Sequence, residues 1–127
     1  MTVTRVALLD DYQGVALSMA EWRSLPAGTE VVEFQDHLAD EKALAARLAD
    51  FDIIMAMRER TPFPRSLLER LPKLKLLITA GMRNASIDMK AAAERGVLVC
   101  GTAGLPYPTA ELAWGLILSL ARRIPAE

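Results

Sequence analysis

Residues 74–100 read LKLLITAGMRNASIDMKAAAERGVLVC, and this stretch decides the fold of the chain. Its two ends, Leu74–Ile78 and Val97–Cys100, are short apolar runs typical of strands that are buried on both faces. Between them, Asp88–Arg95 is predicted to be a helix, and Gly96 stands just after it, where glycine is favoured. A strand, a helix and a second strand in this order predict two parallel strands joined by a right-handed crossover.

The same alternation of apolar runs and helical patterns extends outward to both termini. Three further strands are predicted at Val6–Leu9, Glu30–Phe34 and Phe51–Met55. Apolar spacing and capping residues predict four more helices: Val15–Leu25, Glu41–Leu48 after Asp40 as N-cap, Pro64–Leu71, and a last helix that Thr109 caps and that reaches about Arg123. Five strands with a helix after each predict an α/β fold, a flavodoxin-like three-layer domain with a five-stranded parallel sheet and a long apolar C-terminal helix.

The composition fits one folded domain and excludes several classes of protein. The chain has 127 residues, of which 52% are hydrophobic and 24% are charged, and its formal net charge is −1. This length and apolar content favour a single folded domain over a disordered chain, and the near-zero charge argues against a nucleic-acid partner. The single cysteine, the lack of an apolar run of membrane-spanning length and the N-terminal sequence lead us to expect a soluble cytoplasmic domain with no membrane partner.

Candidate sites are expected where the strands end, because ligands of parallel α/β sheets bind beyond the carboxyl ends of the strands. Five segments occupy these positions: Asp10–Asp11, Asp36–His37, Met57–Thr61, Thr79–Asn84 and Gly101–Pro108. The last three are rich in Gly, Pro, Arg and Asn, which makes them the strongest candidates for chemistry.

One interpretation is a phosphoacceptor module, since the length, the five strand–helix units and the acidic pair Asp10–Asp11 resemble a response-regulator receiver domain. That chemistry needs an acceptor aspartate at the end of the third strand and a lysine after the fifth. The third strand ends at Met55–Met57 without a carboxylate, and Cys100–Thr102 contains no lysine. Two required groups are missing, so Asp10–Asp11 is interpreted instead as a loop or helix-capping pair.

A second set of motifs resembles another family along nearly the whole chain. The chain reads RERT from Arg58, after the third strand, and LLITAGMRN over residues 76–84. Further matching pieces follow in the same order and spacing: Ile87–Asp88, Ala91–Ala92, Arg95–Val97 and Thr109–Ala113. In these pieces the chain resembles the N-terminal part of the D-isomer-specific 2-hydroxyacid dehydrogenases.

The resemblance implies an NAD-dependent oxidoreductase of two domains that interconverts a D-2-hydroxy acid and a 2-keto acid. Residues 1–108 would be its flavodoxin-like catalytic, or substrate-binding, domain, and residues 109–127 an interdomain and dimerisation helix leading to an NAD-binding domain absent from this chain. In the family, main-chain N–H groups of the loop after the fourth strand hold the substrate carboxylate, as fixed donors that need no side-chain ordering. We therefore expect a small 2-hydroxy or 2-keto acid as substrate and NAD as cofactor, with NADP left open.

The resemblance also assigns individual residues to the site. Met82 and Arg83 match the main-chain donors, Gly81 stands beside them, and Arg58 matches a position near the substrate. Thr109 is the one residue of this chain that is expected to contact the cofactor. Two other interpretations stay open: Gly81 supplies only backbone freedom, and Arg58 forms a surface ion pair with an acidic neighbour.

Two positions depart from the family pattern. Arg83 stands where the family often has glycine, and Ala85 where it often has aspartate. The Arg83 side chain is expected either to narrow the pocket or to supply a guanidinium for a second anionic group on the substrate. A third interpretation has this side chain pointing to solvent from an exposed loop.

The catalytic groups of the family are expected to lie outside this chain. The resemblance implies an arginine, a glutamate and a histidine from beyond the first domain, with the imidazole as acid–base, and the sequence contains no G-x-G-x-x-G fingerprint. We therefore assign no catalytic residue and no metal ligand, and we expect the 127-residue chain alone to be inactive. His37 is interpreted as a loop residue and Cys100 as a small core residue.

The last helix predicts a partner independently of any family. Its polar or minimal positions are spaced four, four and three apart and form one narrow stripe: Glu111, Gly115, Ser119 and Arg122. A helix that is apolar around most of its circumference is buried on most sides, so it needs the missing domain or a second copy of this chain, and we expect a homodimer. The residues expected at this interface are Trp114, Leu116, Ile117, Leu118 and Leu120.

Two alternatives remain at this stage. The last helix could be a core helix that its own domain covers. The whole chain could also be a stand-alone dimerisation or binding module that uses the fold without catalysis.

Overall fold

The structure is a computed structural model that describes residues 3–124, so the last three residues of the predicted segment 109–127 lie outside it. The strands are β1 (Thr4–Leu8), β2 (Thr29–Glu33), β3 (Ile53–Ala56), β4 (Leu76–Thr79) and β5 (Leu98–Gly101). The α-helices are α1 (Glu41–Leu48), α2 (Arg65–Leu68), α3 (Met89–Glu94) and α4 (Pro108–Ala121). Within the described range, each helix is too short or too polar for a membrane crossing.

The five strands form one parallel sheet in the order β2-β1-β3-β4-β5. This is the flavodoxin-like order, and it confirms the predicted fold class. The register places Ala56 beside Thr79 and Thr79 beside Gly101. The carboxyl ends of β3, β4 and β5 are therefore level, and the loops that follow them share one edge of the sheet.

The core is built from the central strands and from helices α1 to α3. Ile54 and Leu77, on two neighbouring central strands, are fully buried, and Leu48 of α1 and Leu68 of α2 belong to the same apolar cluster. Burial of each such side chain contributes about 1.5–3 kcal/mol. Helix α3 adds small residues, since its Ala91 is also fully buried. The cluster includes no residue of α4.

Helix α1 spans the predicted residues, and its cap has the predicted chemistry. Asp40 Oδ2 accepts a 2.8 Å hydrogen bond from the N–H of Ala43, which satisfies one of the unpaired donors at the start of the helix. After α3, Gly96 has a φ of +71°, the left-handed conformation in which glycine is favoured. Both predictions are confirmed.

The predicted helix at Val15–Leu25 is wrong. The structure has two 3₁₀ turns there, Ala16–Ser18 and Trp22–Ser24. Local side chains take the backbone groups that an α-helix would use: Ser18 Oγ donates to the carbonyl of Val15 and the Trp22 indole N–H donates to the carbonyl of Ala16. The apolar spacing is also misleading, because Met19 is 78% exposed and packs against no sheet face.

Three other helix boundaries differ from the sequence prediction. Thr109 is not the N-cap of α4: Tyr107 holds that position without a side-chain cap bond, because Pro108 has the fixed φ that suits the first helical residue. Helix α4 ends at Ala121 rather than near Arg123. The predicted helix Pro64–Leu71 is α-helical only over Arg65–Leu68, and turns continue it to Leu71.

Helix α4 is exposed along nearly its whole length. None of its residues is buried, and its large apolar side chains are between 54% and 74% exposed. This excludes the alternative of a core helix that its own domain covers, within the residues that the structure describes. The five side chains predicted for an interface lie on this surface: Trp114, Leu116, Ile117, Leu118 and Leu120.

Candidate substrate-binding site

The loop after β4 and the ends of β4 and β5 line a cavity of about 410 Å³ at the carboxyl edge of the sheet. Its walls come from the strand ends, from the loop after β4 and from the start of α3. The lining residues are Thr79, Met82, Arg83, Asn84, Ala85, Ile87, Met89, Val99 and Gly101. Two of the residues predicted for the site, Met82 and Arg83, therefore lie in its wall.

Two glycines allow the loop after β4 to rest on the end of β5. Gly81 has a φ of +99°, which a side chain would strain. A Cβ at Gly101 would lie 2.8 Å from the carbonyl oxygen of Gly81 and 2.9 Å from the Cα of Met82. Position 101 therefore requires glycine for close backbone contact, a role that the sequence analysis did not identify.

Hydrogen bonds then fix this loop against the start of the loop after β5. The N–H of Gly81 donates to Thr102 Oγ1 at 3.0 Å, and the N–H of Thr102 donates to the carbonyls of Thr79 and Gly81. Among residues 3–124, no hydrogen bond uses the N–H of Met82 or of Arg83. The donor of Gly81 is thus occupied, while the next two main-chain donors remain available beside the cavity.

Arg58 reaches this loop from the neighbouring strand end. Its backbone is left-handed, with a φ of +52°, and its guanidinium Nη1 lies 3.8 Å from the point that a Cβ on Gly81 would occupy. Over the described range, neither Arg58 nor Arg83 has a carboxylate partner within 4.0 Å. The interpretation of Arg58 as part of a surface ion pair is therefore wrong there. Arg83 is exposed and lines the cavity.

A second polar cluster joins the ends of β1, β2 and β3, and the sequence analysis missed it. Asp10 is 1% exposed. Its Oδ1 lies 2.8 Å from His37 Nδ1, and its Oδ2 accepts a 2.6 Å hydrogen bond from Thr61 Oγ1. Arg60 donates to the carbonyl of Asp10 at 2.7 Å. His37 is therefore more than a loop residue, because it covers a buried carboxylate.

Asp11, the neighbour of Asp10, is a capping residue, as predicted. Its Oδ2 accepts a 2.8 Å hydrogen bond from the N–H of Ala16 at the start of the first 3₁₀ turn. This bond from Ala16 is the main cause that lowers the pKa of Asp11 below the usual value. The acidic pair thus splits into one structural buried group and one cap.

Two other sequence-predicted residues lie away from the cavity walls. Thr109 is exposed in the first turn of α4. Cys100 is half-buried rather than part of the core, because β5 is an edge strand with one neighbour in the sheet.

Fold and site together define a flavodoxin-like α/β domain with a ligand-sized cavity and unpaired main-chain donors at its carboxyl edge. The chain belongs to the D-isomer specific 2-hydroxyacid dehydrogenase family, since the model of that family's catalytic domain matches residues 6–116. The resemblance drawn from the motifs is therefore confirmed.

Several relatives with known names are similar to this chain in sequence. It is 35% identical over 95 residues to the D-3-phosphoglycerate dehydrogenase of Methanocaldococcus jannaschii, which is 74% of this chain and 18% of that protein. It is 43% identical over 61 residues to the glyoxylate reductase of Thermococcus litoralis, which is 47% of this chain and 18% of the relative.

Solved structures of dehydrogenases have the same fold as this chain. The crystal structure of a phosphoglycerate oxidoreductase from Vibrio cholerae superposes with a TM-score of 0.84 at 38% identity, and the match covers 97% of this chain and 39% of that chain. The Escherichia coli D-lactate dehydrogenase shares the fold, with a TM-score of 0.69 at 24% identity over 97% of this chain and 39% of that one. The chain thus spans well under half the length of these relatives.

Proposed function

We propose that this chain is the substrate-binding domain of an NAD-dependent oxidoreductase that interconverts a D-2-hydroxy acid and a 2-keto acid. Residues 1–108 form that domain in this proposal, and residues 109–127 lead from it to an NAD-binding domain. The observation that supports this proposal best is that the N–H groups of Met82 and Arg83 have no hydrogen-bond partner among residues 3–124. Both lie beside a cavity of about 410 Å³.

The substrate carboxylate would be bound by these two main-chain donors. Gly81 turns the chain into the required geometry with its φ of +99°, and the donors are fixed before the ligand arrives. A carboxylate held by oriented N–H groups gains charge-assisted hydrogen bonds without ordering a side chain. Arg58 adds a guanidinium from the adjacent loop, where no acidic group within residues 3–124 neutralises it at ion-pair distance.

Arg83 has two candidate roles in this proposal, a narrower pocket or a contact to a second anionic group of the substrate. Replacement of Arg83 by alanine in the complete dehydrogenase separates them. Loss of the anion contact would raise KM for dicarboxylate substrates and leave KM for monocarboxylates unchanged. An unchanged KM in both classes would contradict the second-anion role.

Residues 3–124 do not form a binding site for the dinucleotide. The sequence has no G-x-G-x-x-G loop after a strand, and α4 begins with Pro108, which has no N–H to offer a pyrophosphate at its first position. NAD, which would supply or accept the hydride, is therefore assigned to the further domain. Thr109, exposed in the first turn of α4, is the proposed contact from this chain.

The proposal assigns α4 to the interface of a homodimer or to the NAD-binding domain. Its apolar residues form a continuous exposed surface of a kind that single-chain proteins seldom leave uncovered. The setting we propose is the cytoplasm, consistent with the one free thiol, Cys100.

The site is tested by a titration of the ¹⁵N-labelled 127-residue chain with D-lactate. We expect saturable shifts of the amide signals of Met82 and Arg83 and much smaller shifts at the amino edge of the sheet. Unchanged signals at both residues would contradict the carboxylate site. The chain alone is expected to show no NADH oxidation with pyruvate, glyoxylate or hydroxypyruvate, and measurable turnover would contradict the assignment of the catalytic groups to another domain.

Two rival functions have tests of their own. A phosphoacceptor module would become phosphorylated by acetyl phosphate with Mg²⁺. We expect no reaction because β3 ends at Ala56 and Met57 follows it, and neither residue carries a carboxylate. A stand-alone binding module is distinguished by the coding sequence beyond Glu127, where our proposal requires a G-x-G-x-x-G fingerprint.

A further inference from the structure

Asn84 uses every hydrogen-bonding group of its side chain. Its Nδ2 donates to the carbonyl oxygen of Arg58 at 2.6 Å and to Thr79 Oγ1 at 2.9 Å. Its Oδ1 accepts from the N–H of Ser86 at 2.9 Å and from Ser86 Oγ at 2.6 Å. An amide has two donors and two lone pairs, so this side chain is fully satisfied.

These bonds join the two halves of the proposed carboxylate site. Arg58 follows β3, Thr79 ends β4, and Ser86 closes the loop that carries Met82 and Arg83. The bond to the Arg58 carbonyl holds a residue whose left-handed backbone is unfavourable for a side chain other than glycine. Release of that carbonyl would let the Arg58 backbone relax and move its guanidinium away from Gly81.

The sheet itself does not depend on Asn84. The strands β3 and β4 are already paired by their own backbone from Ile53–Leu76 to Ala56–Thr79. Asn84 is half-buried, and it lies outside the apolar cluster of the core. Its bonds therefore set the relative position of two loops rather than the stability of the domain.

We propose that Asn84 is a positioning residue that aligns Arg58 with the main-chain donors of Met82 and Arg83. This inference rests on the proposed function, because it concerns how the same site is shaped. The amide is required for its two donors: one fixes Arg58, and the other anchors the loop to the end of β4.

The test compares D-lactate affinity, from the amide shifts of Met82 and Arg83, in the wild-type chain and in Asn84→Asp. This nearly isosteric change replaces both donors by an oxygen that repels the Arg58 carbonyl, so we expect the Kd to rise about tenfold near neutral pH. At about pH 4.5 the new carboxyl becomes partly protonated and regains one donor, so the difference from wild type should narrow. The wild-type chain, titrated at both pH values, corrects for protonation of the probe.

Two further variants keep the test decisive. Asn84→Ala also loses the donors, and its Kd should rise by a similar factor without recovery at low pH; it decides the matter if Asn84→Asp does not fold. Ser86→Ala leaves both bonds to Arg58 and Thr79 intact and should change the Kd by less than about threefold.

The outcomes separate the two proposals. Equal Kd values for wild type and both Asn84 variants would overturn the positioning role and leave the carboxylate site standing. A weaker Asn84→Asp that does not recover at low pH would overturn the donor role of the amide. No D-lactate response in the wild-type chain would overturn the proposed function itself.

Discussion

Helices α1 and α4 lie in the same chain and have opposite patterns of burial. Helix α1 is rich in charged residues, yet it buries Leu44, Ala45 and Leu48 against the core. Helix α4 is mostly apolar, yet none of its residues is buried. Leu48 is 0% exposed and Leu120 is 74% exposed. Apolar content therefore shows that a surface needs cover, while the contacts show whether its own domain provides that cover.

The largest expected effect is a loss of stability caused by a change in α1. Leu48→Ala removes a fully buried side chain from the core, and the lost contacts and the remaining cavity should lower the free energy of unfolding by about 2–5 kcal/mol. Leu120→Ala is the matched control on α4. It should change the free energy of unfolding by less than about 0.5 kcal/mol under monomeric conditions. Urea denaturation of both variants measures the difference. Equal losses would contradict the contrast between the two helices.

The next-largest expected effect is on the association of two chains through α4. If α4 packs on a second copy, Trp114→Ala should weaken the dimer by about 2 kcal/mol, or about thirtyfold in its dissociation constant. The reason is that aromatic side chains that become buried in an interface often carry much of its binding energy. Sedimentation equilibrium measures this constant, and Met19→Ala, a change of another exposed apolar residue outside α4, is the control. A wild-type chain that stays monomeric at high concentration would contradict the homodimer and favour the proposed NAD-binding domain as the partner of α4.

The third effect compares the capping of α4 with that of another helix that packs on the core, α3. Asp88 Oδ1 accepts a 2.8 Å bond from the N–H of Ala91 at the start of α3, so Asp88→Ala should cost about 1 kcal/mol. Thr109→Ala should cost less than about 0.5 kcal/mol, because α4 has no side-chain cap bond. Thermal denaturation compares the two variants. A larger loss for Thr109→Ala would show that its hydroxyl caps the helix in solution.

The fold could be predicted from local patterns because each strand is a short apolar run bounded by turn residues. The five strands and the helix α1 follow from that signal and are confirmed, while the flavodoxin-like strand order was expected from the fold class and the size of the domain. The helix predicted over residues 15–25 did not form, since Val15 and Met19 of its predicted apolar face are exposed. The side chains of Ser18 and Trp22 also bind backbone groups that a helix would need. Apolar spacing predicts a helix only where a sheet face is available to cover it.

The sequence could predict where the candidate site lies but not the hydrogen bonds that shape it. The loop that carries Met82 and Arg83 was found from motifs, and it lies at the predicted edge of the sheet. The bonds that shape it join distant residues, such as Asn84 with Arg58 across 26 positions and His37 with Asp10 across 27. No local sequence pattern predicts hydrogen bonds between residues so far apart in the chain. The one available signal was a carboxylate, Asp10, directly after a buried strand.

The smallest expected effect is a pH dependence of stability, and it is confined to the domain that contains α1. Asp52 lies at the amino edge of the sheet, where its carboxylate accepts bonds from Lys75 Nζ at 2.9 Å and from the N–H of Arg5 at 3.1 Å. The bond from Lys75, and then the one from Arg5, lowers the pKa of Asp52 below the usual value near 3.8.

A carboxyl whose pKa is depressed by folding stabilises the folded state above its unfolded pKa, and this stabilisation is lost as the pH falls through the folded pKa. Stability should therefore decline below about pH 4 in the wild-type chain, and the decline should be shallower in Asp52→Asn. Urea midpoints measured from about pH 6 to about pH 2.5 give the two slopes. Association through α4 rests on apolar contact and should stay constant while the domain is folded. Identical slopes would show that Asp52 titrates alike in both states, and acid-sensitive association would mean that charged groups contribute to the α4 interface.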